Sequence, residues 1–167
     1  MNASRRILLF AFPALLLSAG ALCAFEQPDV ERLKELNRCV SCDLSGADLT
    51  GVNLAYADLA KADLSRANLF GVQLGQAKLA GANLTGADLS GAKLYMADLT
   101  GANLSGARLI DARLYKATLD GADLSGADLS DALWVDGKKC GPGSRGECVV
   151  QVKQNEDGKT PSSPGSR

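Results

Sequence analysis

The thiols are the residues best equipped for chemistry. Cys39 and Cys42 lie near the front of the chain, Cys140 and Cys148 near the back, and a fifth, Cys23, sits further forward. Such side chains close disulfides, exchange them, or hold a soft metal. Four thiols allow three connectivities; in an exported chain the expectation is local pairing, Cys39 with Cys42 and Cys140 with Cys148. A Cys-x-x-Cys redox centre instead works from a helix N-terminus in a βαβ fold, and a zinc ribbon spaces its second pair more closely than Cys140 and Cys148. The chain of 167 residues has no histidine, which excludes His-based triads and His-ligated metals. No other nucleophile–base pair stands out, so no catalytic residue, cofactor or metal is assigned and no enzyme activity is expected.

The framework between the two cysteine pairs has a strict period. From Leu44 to Leu129 a leucine falls at every fifth position, and Trp134 takes the next place. Two residues before each stands a small side chain, from Cys42 and Ala47 to Ala132. Five residues advance a helix by about 500°, so the leucines form no stripe; on a strand, successive leucines point to opposite faces. The period fits a chain that turns a corner every five residues and points one leucine inward each time. Glycine recurs at the corners, as at Gly46, Gly81 and Gly121, where tight turns demand positive φ.

The unit Ala-Asp/Asn-Leu-x-x, as in Ala47-Asp48-Leu49, Ala82-Asn83-Leu84 and Ala102-Asn103-Leu104, resembles the consensus of the pentapeptide-repeat family. The resemblance covers residues 42–134. It implies an all-β solenoid, a right-handed quadrilateral parallel β-helix with four pentapeptides per coil, nearly five coils long. The leucine and the residue two before it would face inward. Stacked at the usual strand spacing, the coils make a rod about 23 Å long whose ends need caps. Some members of the family resemble DNA in shape and charge and bind DNA gyrase, which is the alternative function the resemblance implies. Those relatives are strongly acidic and dimerise through a C-terminal helix, and this chain departs from them on both counts.

The front of the chain reads as an export signal. Arg5 and Arg6 precede an apolar run, Ile7 to Leu17, and a small-residue end, Ser18 to Ala24. Cleavage is expected after Ala24, with Ala21 the alternative. The run is too short to span a bilayer, Leu22 stands where a lipoprotein signal needs Gly or Ala before Cys23, and the arginine pair partly resembles a twin-arginine signal. Cleavage leaves 16 of the 18 basic residues against 19 acidic ones, a net −3, too mild to imply a nucleic-acid partner. The expected layout is a signal peptide at 1–24, an N-terminal cap at 25–38 with Val30, Leu33 and Leu36 on one helical edge, the β-helix at 39–135, a cysteine loop at 136–149 and a disordered polar tail at 150–167. The protein is expected in the periplasm or secreted, its partner another protein or an envelope component.

A coil of twenty residues allows the surface to be drawn from the sequence. Tyr95 and Tyr115 fall one coil apart, with Lys93 and Arg113 beside them and Tyr56, Gln76, Met96 and Lys116 in the next column. Arg108, Ile110 and Phe70 lie around a corner. The opposite column runs Asp43, Asp63, Asn83, Asn103, Asp123. Exposed aromatics with arginine anchor interfaces, so Lys93, Tyr95, Met96, Arg108, Arg113, Tyr115 and Lys116 form the expected partner-binding patch. Stacked tyrosines also stabilise β-ladders without binding anything.

Overall fold

The computed structural model describes residues 27–150. The signal sequence read at 1–24 lies outside that span, as does the polar tail apart from Val150. From Arg38 onward the chain pairs with itself in parallel at a separation of twenty residues, beginning at Arg38 with Asp58 and ending at Arg113 with Leu133. Four pentapeptides therefore complete one coil. Each side contributes single bridging residues rather than extended strands, because two of every five residues are spent on a turn.

The consensus follows from where the five backbone N–H groups of a unit go. In the unit Ala47–Gly51, Leu49 N–H donates to Asn68 O of the next coil at 2.9 Å and Gly51 N–H to Phe70 O at 2.8 Å. In the next coil, Asn68 N–H donates back to Ala47 O at 2.8 Å. Across the corner, Val52 N–H donates to Leu49 O at 3.1 Å, with φ of +65° at Gly51, the pattern of a type II turn. One group remains, the N–H of the residue after the leucine. Asp48 Oδ1 accepts it from Thr50 at 3.1 Å and accepts the Thr50 hydroxyl as well. Asp or Asn thus precedes leucine because an Asx turn closes the account of backbone donors.

The leucines from Leu44 to Leu114 are buried almost completely, with the alanines between them. A square interior that takes a leucine from every unit leaves room only for a small partner, which is why Ala recurs two residues earlier.

Each end carries a covering segment. Helix α1, Gln27–Leu36, lies at the front and buries Val30 and Leu33. Leu36 departs from the expected edge and is 65% exposed. Asn37, at φ +50°, ends the helix, and its side-chain amide donates to Ala55 O at 2.8 Å. Asp29 Oδ2 accepts the N–H of Asp43, a first-coil donor with no coil beneath it, at 3.2 Å. Cys39 and Cys42 are joined in a disulfide and buried at this end.

At the back the chain reverses. Trp134 and Val135 are half-buried, and Trp134 N–H donates to Lys138 O at 2.8 Å. The loop then pairs antiparallel with the last coil, Lys139 with Leu133 and Arg145 with Asp128. It accepts Leu129 N–H through Ser144 O and donates from Gly146 to Ala127 O, both at 2.9 Å. The Cys140–Cys148 disulfide holds it, and buried Ser144 links its two limbs. Two of the four sides are closed in this way. On the other two, Leu119 and Leu124 are only half-buried.

Candidate functional site

Each side and the corner after it belong to the same units, so one unit in four builds one strip of surface. The strip of interest begins Val52-Asn53-Leu54-Ala55-Tyr56 and repeats as Gln73–Gln76, Lys93–Met96, Arg113–Lys116 and Leu133–Asp136. After Asn53 no residue of its side is Asp or Asn: the column runs Gln73, Lys93, Arg113, Leu133. The N–H groups of Gly75, Tyr95, Tyr115 and Val135 therefore have no Asx acceptor among the described residues, whereas Ala55 N–H reaches Asn53 Oδ1 at 3.1 Å.

The corner breaks a second rule. The other three corners carry glycine at most of their positive-φ positions. The Tyr56 corner carries none: Tyr56, Gln76, Met96 and Lys116 sit at φ +63°, +57°, +55° and +60°. A side chain in that conformation costs about 1 kcal/mol. All four residues are exposed, and the Tyr56 hydroxyl accepts from Gln76 Nε2 at 3.2 Å.

Beside them, the Tyr95 and Tyr115 rings stand with centroids 6.0 Å apart, tilted by 32°. Lys116 Nζ lies 5.3 Å above the Tyr115 ring, a cation–π contact. Gly137 leaves room for this ring, since a Cβ there would stand 3.3 Å from Tyr115 Cε2. Every large apolar side chain exposed between Ser41 and Asp136 (Tyr56, Phe70, Tyr95, Met96, Tyr115) lies on this strip or on the Gly51 corner at its other edge. There Phe70 and Ile110 stack on either side of Ser90, which is buried.

Lys93, Tyr95, Met96, Arg113, Tyr115 and Lys116 are thus contiguous. Arg108 is not among them. It stands on the neighbouring side, on the ladder between Asp88 and Asp128, whose carboxylates flank it without an ion pair within 4.0 Å.

Between the Asn53 side and the Gly51 corner runs a groove of about 400 Å³, lined by Gly91, Lys93, Asp111, Arg113, Asp131, Leu133 and Lys139. Lys139 Nζ closes its top with an ion pair to Asp131 at 2.9 Å, which raises the Lys139 pKa. Asp111 and Asp131 follow from the twenty-residue period. The place of Lys139 does not, because it depends on the antiparallel return of the loop.

Among the described residues no helix is long and apolar enough to cross a membrane. Asp29, Cys39 and Cys42 bring one carboxylate oxygen and two sulfurs within 4.8 Å of one another, but the two sulfurs are spent on each other.

Residues 42–72, 67–106 and 94–131 match the family model for pentapeptide repeats, with eight copies. No curated protein matches the chain significantly. Among solved structures, it is similar to a pentapeptide repeat protein from the thylakoid lumen of Arabidopsis thaliana, 30% identical over 68% of this chain and 87% of that one, with a TM-score of 0.49. A pentapeptide repeat protein from Nostoc Pcc 7120 is 39% identical over 60% and 77%, with a TM-score of 0.36. QnrB1, a plasmid-mediated fluoroquinolone resistance protein, is 21% identical over 56% and 68%, with a TM-score of 0.24.

Proposed function

Because the chain belongs to the pentapeptide-repeat family, whose members serve generally as structural or interaction modules, we propose that it is a non-enzymatic interaction module. Its working surface is the strip formed by the Asn53 side and the Tyr56 corner. One observation carries this reading: the two rules that build the coil, Asx acceptor and corner glycine, are both abandoned in the same units, coil after coil. Local rules are broken where something other than stability is served.

In this reading the coil is right-handed, as in its family, and the chain acts in the periplasm or outside the cell. The signal-like residues 1–24 and two disulfides support that compartment. The basic strip is a poor copy of a DNA backbone, which weighs against gyrase binding.

Tyr95→Ser combined with Tyr115→Ser tests the assignment. A ladder role predicts a lower Tm, by the equivalent of about 0.5–1.5 kcal/mol, with partner capture unchanged. The interaction reading predicts little change in Tm and loss of the partner recovered by cross-linking in the source cells.

A further inference from the structure

Charges on the four sides of the coil follow a pattern. The Asp58 side alternates in sign, Arg38, Asp58, Lys78, Asp98, and Arg38 pairs with Asp58 at 3.6 Å. On the Asp48 side Arg108 is flanked by Asp88 and Asp128, and Arg145 of the loop pairs with Asp128 at 3.6 Å. The Asn53 side differs. Lys93 and Arg113 occupy adjacent rungs of one ladder, the one place among the described residues where two cations are bridged directly. Like charges directly opposite each other destabilise a ladder. Neither cation makes an ion pair within 4.0 Å among the described residues, and both occupy positions where the repeat otherwise prefers Asp or Asn.

Both line the groove beside the Gly51 corner, together with apolar Leu133 and the backbone of Gly91. Lys139 is already balanced by Asp131. That leaves Lys93 and Arg113 against the single acid Asp111, so the excess positive charge of the groove lies on one rung, next to a wall that a side chain can pack on.

Resting on the reading of this strip as a binding face, we propose that the Lys93–Arg113 rung is a carboxylate clamp and that the groove takes an acidic segment of a partner polypeptide. Arg113 offers paired donors to a carboxylate, and Lys93 adds a second charge one rung away. A uniform polyanion fits worse, because the groove's cations exceed its acids by only one and Asp111 would repel flanking charges. A second copy of this chain also fits worse, because a two-fold contact through this column sets cation against cation.

The experiment measures binding of a labelled peptide carrying an isolated pair of glutamates between apolar residues, an oligogalacturonate and a DNA duplex to the mature chain. Variants are Lys93→Glu with Arg113→Glu, and Lys61→Glu with Arg66→Glu as a control on other corners. Lys93→Asn with Arg113→Asn restores the Asx acceptors and so preserves the fold. The expected result is preferential binding of the peptide, weakened about tenfold or more by both groove variants and little by the control. Equal loss in the control, preference for the glycan or DNA, or no loss in the groove variants would overturn the clamp. Partner capture that depends on Tyr95 and Tyr115 yet survives Lys93→Asn with Arg113→Asn would overturn it while leaving the binding face standing.

Discussion

Gly91 and Met96 hold the same backbone conformation, φ +66° and +55°, at consecutive corners of one coil. One residue adopts it freely and the other against the steric preference of its side chain. Met96→Gly, and likewise Lys116→Gly, should therefore raise stability by up to about 1 kcal/mol, read from denaturant unfolding. Gly91→Met should lower it by a similar amount. A gain at Met96 accompanied by weaker partner capture would show stability given up for binding.

Leu89 lies in the middle coil with no exposed surface, and Ala87 and Ala92 flank it, equally buried. Leu89→Ala should cost about 2–5 kcal/mol, and Leu89→Asp should split or unfold the rod, since no donor lies in that interior to meet a charge. A cooperative melt of Leu89→Asp like that of the wild type would show that the inward register is wrong.

The Asx turns link stability to pH. Hydrogen bonds from the side chain and then the backbone of Ser45 hold Asp43 below the usual 3.8, and Thr50, Thr100, Ser125 and Ser130 do the same for Asp48, Asp98, Asp123 and Asp128. These carboxyls bind protons more readily in the unfolded chain, so their contribution is present above 3.8 and is lost as the pH falls through their lower folded values. Tm should hold steady from neutrality to about pH 5 and fall progressively below it. Asp98→Asn keeps the acceptor without the charge and should reduce that fall.

The Cys140–Cys148 disulfide secures the loop that closes two sides of the last coil. Cys148→Ser should lower stability by about 2–4 kcal/mol. In hydrogen exchange Leu129 N–H, held by Ser144 O, should lose protection first, while Leu64 N–H, bonded to Asn83 O at 2.7 Å, keeps its own. Uniform loss along the rod would mean that the loop is no local cap.

Much of this architecture is legible in the sequence because each residue of the unit has one job. Leucine and alanine fill the interior, Asp or Asn accepts the fifth N–H, and glycine turns the corner, so a period of five and a coil of twenty can be read without coordinates. The strip is legible for the same reason: Lys93, Tyr95 and Met96 recur as Arg113, Tyr115 and Lys116 one coil later. Arg108 could have been placed by the same rule, since Asp88 and Asp128 stand twenty residues to either side of it. What resists such reading is the cysteine loop. Lys139 and Arg145 extend the sides only because the loop returns antiparallel, and no period announces that return.

The most direct test of the binding strip is photo-crosslinking in the source cells from two positions, Tyr95 on the strip and exposed Asn103 on the opposite side, each replaced in turn by a photoreactive phenylalanine analogue. The account predicts a discrete adduct from the Tyr95 position and none from Asn103. Equal adducts from both, or an adduct from Asn103 alone, would contradict it.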